Sequence, residues 1–237
     1  QIQSLPINSG VFCLKKDRFQ DVVWIGTDGQ GVYLYSNPLY SIKSMVLSNY
    51  TEKIERPVRA IYLDDERTFW VGTKGNGILK IYDYEFDKNI SDCRAEVLTT
   101  SNSALSSNAV YCFAKSHRNL LWIGDEEGLT YYSYREKRIK SIPIRIGNED
   151  FKYIHDIYET ADSELWLASV GMGVVKARIA GTPDNPVIVD AQRYIINDGE
   201  LGSNYFFTIY AENEANLLFG NKGYGVFRYN ETTNGLE

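Results

Sequence analysis

The sequence predicts an all-β protein, and three observations carry that prediction. The apolar runs are short and rich in Val, Ile, Tyr and Phe, which favours strands. Polar or glycine-containing turns bound each run, and no segment keeps a helical period. Above all, one phrase recurs five times: VVWIGTDGQGVYLYS from Val22, TFWVGTKGNGILKIYD from Thr68, LLWIGDEEGLTYYS from Leu120, ELWLASVGMGVVKARI from Glu164 and NLLFGNKGYGVFRYN from Asn216. The anchors are Trp24, Trp70, Trp122, Trp166 and Leu218, which lie 46, 52, 44 and 52 residues apart.

Each unit reads as four strands. The first lies upstream of the anchor: VFCLKK at Val11, VRAIYL at Val58, VYCFAK at Val110, IHDIYE at Ile154 and FFTIYA at Phe206. A polar turn (DRFQD, DDERT, SHRN, TADS, ENEAN) leads to the second strand, which holds the anchor. That strand is apolar at consecutive positions such as Val22–Ile25, as expected of a sheet covered on both faces. A glycine turn joins it to the third strand. A weaker fourth run follows, as in SIKSMVL at Ser41, AEVLTT at Ala95 and KSIPIRI at Lys140. After Tyr229 no fourth run is evident.

Four antiparallel strands repeating at this period are the signature of β-propeller blades. Radial stacking covers both faces of every sheet, and Trp24, Trp70, Trp122 and Trp166 are expected to fill the seams. The pairs Gly29/Gly31, Gly75/Gly77, Gly171/Gly173 and Gly223/Gly225 bracket tight hairpins that need positive φ. The third copy keeps only Gly128 and is one residue shorter, so its turn should differ. The blades are expected at residues 8–50, 55–100, 106–147, 151–196 and 203–237, as one propeller segment spanning 1–237. Residues 1–7 are read as an outer strand of a preceding or closing blade.

Composition narrows the function classes. The 237 residues carry a net charge of −6, and the pI is near 5.1. That disfavours nucleic acid as a partner, since duplex binders present a basic face. No apolar run approaches the roughly 18 residues that span a bilayer. The chain opens QIQSLPINSG, without a signal peptide, and reads as a mature protein or a piece of a longer one. Three cysteines without CxxC spacing argue against a disulfide framework or a zinc site. Cys13 and Cys112 read as small core residues.

The phrase resembles the repeat of two-component regulator propellers. LSSNAVYCF leading to LLWIGDEEGLTYYS carries the likeness, as does VRAIYLDDERTFWVGTKGNGILKIYD, and it extends over nearly the whole chain. The resemblance implies the periplasmic sensor region of a hybrid two-component histidine kinase from Bacteroides-type bacteria, responding to oligosaccharides. It implies seven blades, so five repeats would form a partial arc whose open faces invite a homodimer. No cofactor or metal is implied. This segment would be non-catalytic and would meet the membrane only through other parts of its parent chain.

In such blades the loop entering the first strand and the hairpin after the second share a rim. The residues placed there are Asn8, Ser9, Arg56, Arg59, Asn108, Tyr111, Tyr153, His155, Asn204 and Tyr205, with the tips Gln30, Asn76, Glu126, Met172 and Tyr224. Arg59, Tyr111, Tyr153, His155, Tyr205 and Tyr224 are the ligand candidates: aromatic faces stack on sugar C–H bonds, and polar groups bond hydroxyls. Phe12, Arg59, Tyr111, His155 and Phe207 occupy one equivalent, variable position. Gly31, Gly77, Gly128, Gly173 and Gly225 join the four tryptophans as structural residues. Ser107–Asn108 and Ser203–Asn204 read as turn formers.

Two other classes remain open. A propeller glycosidase or lyase needs facing carboxylates, and the first strands offer only Asp156. The run Asp64–Asp65–Glu66 lies in a turn, where solvated charges are expected, and Asp125–Glu126–Glu127 lies at a hairpin tip. His155 and Asp156 are neighbours on one strand and should point to opposite faces. A protein-interaction scaffold is the third class.

Overall fold

The computed structural model describes residues 7–36, 41–45, 56–85, 93–197 and 202–237. The outer strand expected at 1–7 falls, save for Ile7, outside the described residues. The chain divides into two compact units, Gln1–Asn102 with Ser107–Val110, and Ser103–Ser106 with Tyr111–Glu237.

Unit 1 holds two four-stranded antiparallel sheets. Blade 1 is β1 (Val11–Lys16), β2 (Val22–Thr27), β3 (Val32–Ser36) and β4 (Ser41–Met45). Blade 2 is β5 (Val58–Leu63), β6 (Phe69–Thr73), β7 (Ile78–Ile81) and β8 (Ala95–Leu98). Unit 2 holds blade 3, save for its first residue Val110: β9 (Val110–Lys115), β10 (Leu120–Asp125), β11 (Leu129–Ser133) and β12 (Arg138–Ile142). A small hairpin of β13 (Arg145–Ile146) and β14 (Glu149–Asp150) follows. Blade 4 is β15 (Ile154–Glu159), β16 (Glu164–Ser169), β17 (Gly173–Thr182) and β18 (Asn185–Tyr194). Blade 5 is β19 (Phe206–Asn213), β20 (Asn216–Asn221), β21 (Gly225–Asn230) and β22 (Gly235–Leu236).

Three features depart from the sequence reading. Blade 5 does have a fourth strand: β22 pairs Leu236 with Tyr229 and Gly235 with Asn230. Two residues are too few to leave a pattern. The run from Lys140 is not one strand. β12 stops at Ile142, ahead of Pro143, which has no N–H to extend the ladder. Arg145 and Ile146 then turn back at Gly147, whose φ is 63°. Finally, the β17–β18 hairpin of blade 4 has ten residues per strand.

The tryptophans lie where the repeat places them. Trp24, Trp70, Trp122 and Trp166 are all almost wholly buried. Trp24 packs on Phe69 and Tyr84 of blade 2, at centroid distances of 4.4 and 5.0 Å. Trp122 joins Ile157, Leu165 and Val175 of blade 4 in one core. Trp166 meets Phe219 and Tyr229 of blade 5 at 5.7 and 4.7 Å.

The acidic turn residues are not simply solvated. Asp64 is 1% exposed and Asp17 4%. Asp64 Oδ1 accepts from the backbone of Glu66 and Thr68, while Oδ2 accepts from Trp70 Nε1 at 2.9 Å. Asp17 repeats this with Phe19, Gln20 and, at 3.0 Å, Trp24 Nε1. A buried indole N–H needs an acceptor, and a carboxylate six or seven residues upstream meets that need. In blade 3 that position is Ser116, whose hydroxyl takes Arg118 N. Trp122 Nε1 donates to Glu159 of blade 4 instead, at 2.6 Å.

The paired glycines all have positive φ, from 75° to 123°. At Gly77 the need is also spatial, because a Cβ would stand 2.1 Å from the Leu98 carbonyl oxygen. In blade 3 the turn differs as expected: the Asp125 carboxylate caps it, accepting from Glu127 N and Gly128 N. A second set of glycines was not singled out by the sequence. Gly26 and Gly124 lie under the sulfurs of Cys13 and Cys112, where a Cβ would approach to 2.5 Å. Burial pushes the Cys13 thiol up to about 11 and the Cys112 thiol well above its usual range, consistent with packing roles.

Candidate functional site

The variable position of the first strands has a structural cause. In β1, β5, β15 and β19 the register slips across one residue, and that residue is Phe12, Arg59, His155 or Phe207. The extra residue of a bulge is re-aimed out of the ladder. Strict alternation therefore does not govern His155 and Asp156. Asp156 binds the neighbouring blade: its Oδ2 accepts from Thr208 Oγ1 at 3.0 Å and Ile209 N at 2.7 Å. The carboxylate weighed for catalysis is a tie between blades 4 and 5.

The re-aimed side chains pair within each unit. In unit 1 the Arg59 guanidinium lies over the Phe12 ring, 3.7 Å from its centroid, a cation–π geometry. Among the described residues Arg59 Nε meets no hydrogen-bond acceptor. In unit 2, Tyr111 stacks on His155 at 4.2 Å and 17°, and His155 meets Phe207 edge-on at 5.2 Å. Three successive blades thus present a continuous aromatic row.

Three other candidates lie on loops and tips of unit 2. Tyr153 is 42% exposed and has a φ of 55°, a left-handed conformation few tyrosines adopt. Its backbone is tied on both sides, to Glu126 O and from Val170 N, which holds the ring outward. Tyr205 is equally exposed, with Lys222 Nζ 5.4 Å from its centroid. Tyr224 stands exposed on the β20–β21 tip. The structure thus joins Tyr111 with His155, leaves Tyr153, Tyr205 and Tyr224 as separate exposed rings, and keeps Arg59 in unit 1.

Several rim residues have packing roles. The Asn108 carbonyl accepts from Gly75 N and Gly77 N, and its side chain from Thr100 N. Asn204 repeats this with Gly171, Gly173 and Ile196, and its amide also donates to Ile196 O. Each Asn thus clasps a glycine hairpin upstream of it in the chain. Asn76 Oδ1 accepts from Arg56 N. Met172 Sδ accepts from Lys152 N, and Lys152 Nζ pairs with Glu127 at 2.5 Å.

Asp125, the last residue of β10, is fully buried. It accepts from Ser106 Oγ at 2.6 Å and Thr130 Oγ1 at 3.3 Å besides its two backbone donors. Burial raises its pKa above 3.8, against the pull of those hydrogen bonds. A raised carboxyl binds its proton more tightly folded than unfolded. Its contribution is complete below the unfolded pKa and is lost as pH rises through the folded value. Asp125→Asn is therefore expected to flatten the decline in stability from about pH 4 towards neutrality. Urea midpoints of both proteins across that range measure it, and parallel curves would contradict it.

No family model matches the chain. A 140-residue stretch is 31% identical to translation initiation factor 6 of Saccharolobus solfataricus, covering 54% of this chain and 57% of that protein. Among solved structures, the extracellular domain of a putative hybrid two-component system from B. thetaiotaomicron superposes over 100% of this chain, with a TM-score of 0.71 and 22% identity. That of a putative one-component system from the same organism also covers 100%, at 0.64 and 20%. Virginiamycin B lyase from Staphylococcus aureus covers 98% of this chain and 71% of its own, at 0.69 and 16%. The fold is that of a β-propeller. The chain spans 29% and 32% of the two extracellular domains it matches. At these identities the likeness establishes architecture, and function rests on the site.

Proposed function

We propose that this chain is a non-catalytic sensor segment of a β-propeller, lying in the periplasm and responding to oligosaccharides, with the signal passed to a kinase elsewhere in its parent protein. One observation carries the ligand class: the row Tyr111–His155–Phe207, in a unit that also exposes the rings of Tyr153, Tyr205 and Tyr224. Flat aromatic faces beside amides and cations suit pyranose rings, which present C–H faces and hydroxyl edges. The extracellular domains of a putative hybrid two-component and a putative one-component system, of similar fold, support the sensing role. A ligand drives a relay only by its differential affinity for two arrangements of the blades.

The test is a panel of defined oligosaccharides, read by thermal shift and calorimetry on this chain, with chromatography for products. The expected result is binding of one class without turnover, weakened by Tyr205→Ala and Tyr224→Ala, both at exposed rings. Binding unchanged in both variants would move the site elsewhere. A silent panel would end the oligosaccharide reading. Release of cleaved product would transfer the chain to the glycosidase and lyase class.

A further inference from the structure

Four arginines among the described residues are partly buried. Three of them face a carboxylate: Arg67 with Glu85 at 3.6 Å, Arg118 with Glu159 at 3.6 Å and Arg193 with Glu149 at 3.0 Å. Arg59 is the fourth, and its partner is a ring. The guanidinium lies 3.7 Å from the centroid of Phe12. No ion pair or hydrogen bond of the Arg59 side chain to a described residue accompanies that contact.

A charge drawn partly out of water is ordinarily matched by an opposite charge or by acceptors. The face of Phe12 supplies a cation–π attraction. It does nothing for the N–H donors, which point outward in the guanidinium plane. Nε shows the deficit directly: it is sealed from solvent and has no acceptor among the described residues. The placement is built by the backbone. Phe12 lies where β1 slips between Val11 and Cys13, and Arg59 where β5 slips between Val58 and Ala60. Such bulges re-aim a side chain out of the ladder. The equivalents of Arg59 in the other blades are all rings, so blade 2 alone puts a cation at this position. Blade 1 precedes it and blade 3 follows it in the chain, so Arg59 does not stand at an end of the repeat array.

We propose that Arg59, braced on Phe12, binds a carboxylate of the ligand, and that the oligosaccharide sensed by this chain is therefore acidic, built from uronic acid units. This rests on the oligosaccharide reading above and narrows it. The edge of a guanidinium offers two parallel N–H donors to the two oxygens of one carboxylate, a match that a sugar hydroxyl does not provide. Stacking on Phe12 fixes the plane of that fork before the ligand arrives, which lowers the ordering cost of binding. The chain's net charge of −6 repels an anionic sugar in general, so a specific cation is needed to hold one.

Calorimetry on this chain tests it with trimers of galacturonate, glucuronate and mannuronate, each beside the same trimer with its carboxyls methyl-esterified, and with the neutral panel above. One acid is expected to bind, and its ester to bind about tenfold more weakly or worse, the scale of one charge-assisted hydrogen bond. Arg59→Gln is expected to bring the acid down to the affinity of the ester and to leave the ester unchanged. Arg59→Lys keeps the charge and loses the fork, so its loss for the acid should be intermediate. Circular dichroism and melting check that each variant folds, and the lysine variant carries the comparison if the glutamine variant does not. Acid and ester binding alike would overturn the proposal. So would substitutions that weaken both equally, the mark of a purely structural arginine, or that weaken neither. Neutral sugars binding where no uronate does would overturn it and leave the oligosaccharide reading standing. A panel silent to acidic and neutral sugars alike would overturn both.

Discussion

Trp122→Ala is expected to lower the stability of unit 2 by about 4 kcal/mol or more, the upper range for an aromatic truncated in a core. Two losses add. The first is the packing of a fully buried indole against blade 4. The second is electrostatic. Glu159 is 5% exposed and receives Trp122 Nε1 at 2.6 Å. Its remaining partners are His117 N at 3.3 Å and Arg118 Nε at 3.6 Å. Without the indole, a buried carboxylate loses its shortest donor, which costs about 1–3 kcal/mol. Trp122→Phe separates the two, since it keeps most of the packing and removes only the donor. Urea unfolding of both variants measures the terms. A loss below about 1 kcal/mol for the alanine variant would mean that this seam does not hold unit 2 together.

The second large effect concerns glycines with ordinary backbone angles. Gly26→Ala and Gly124→Ala are each expected to cost about 2–3 kcal/mol by overpacking. The new methyl would stand 2.5 Å from Cys13 Sγ in one case and from Cys112 Sγ in the other. The two sites should respond differently to relief. At Gly26 the next neighbour is a Val58 methyl at 3.3 Å, so Cys13→Ala in the same chain should recover much of the loss. At Gly124 the Ile154 carbonyl oxygen also lies at 2.6 Å, and backbone cannot yield, so Cys112→Ala should recover little. Double-mutant cycles read the difference as coupling energies. Equal coupling at both sites would refute the steric account.

Much of the fold was legible because it is repeated. Five copies of one phrase turn a weak strand signal into a strong one, and the glycine pairs mark hairpins in four of them. What stayed hidden has physical reasons. β22 is held by a turn in which Asn230 Oδ1 takes Thr232 N and Thr233 N, and it leaves no apolar run. Asp64 reads as one of three solvated acids, because a sequence does not tell which carboxylate turns inward to an indole. Glu159 gives no local signal at all, since it serves a tryptophan 37 residues upstream, in another blade. The site was legible as a set of positions. The aromatic row was not, because His155 and Phe207 stand at bulges, and a one-residue slip in register leaves no mark on composition.

The source of each indole's acceptor also bears on how such a chain can grow by duplication. Blades 1 and 2 satisfy their tryptophans from within, through Asp17 and Asp64. A gene segment encoding either would carry its own indole partner wherever it was copied. Blade 3 borrows from its successor, so a copy inserted before a different neighbour would arrive with an unanswered N–H. The first two modules are portable singly, and the third travels only with the fourth.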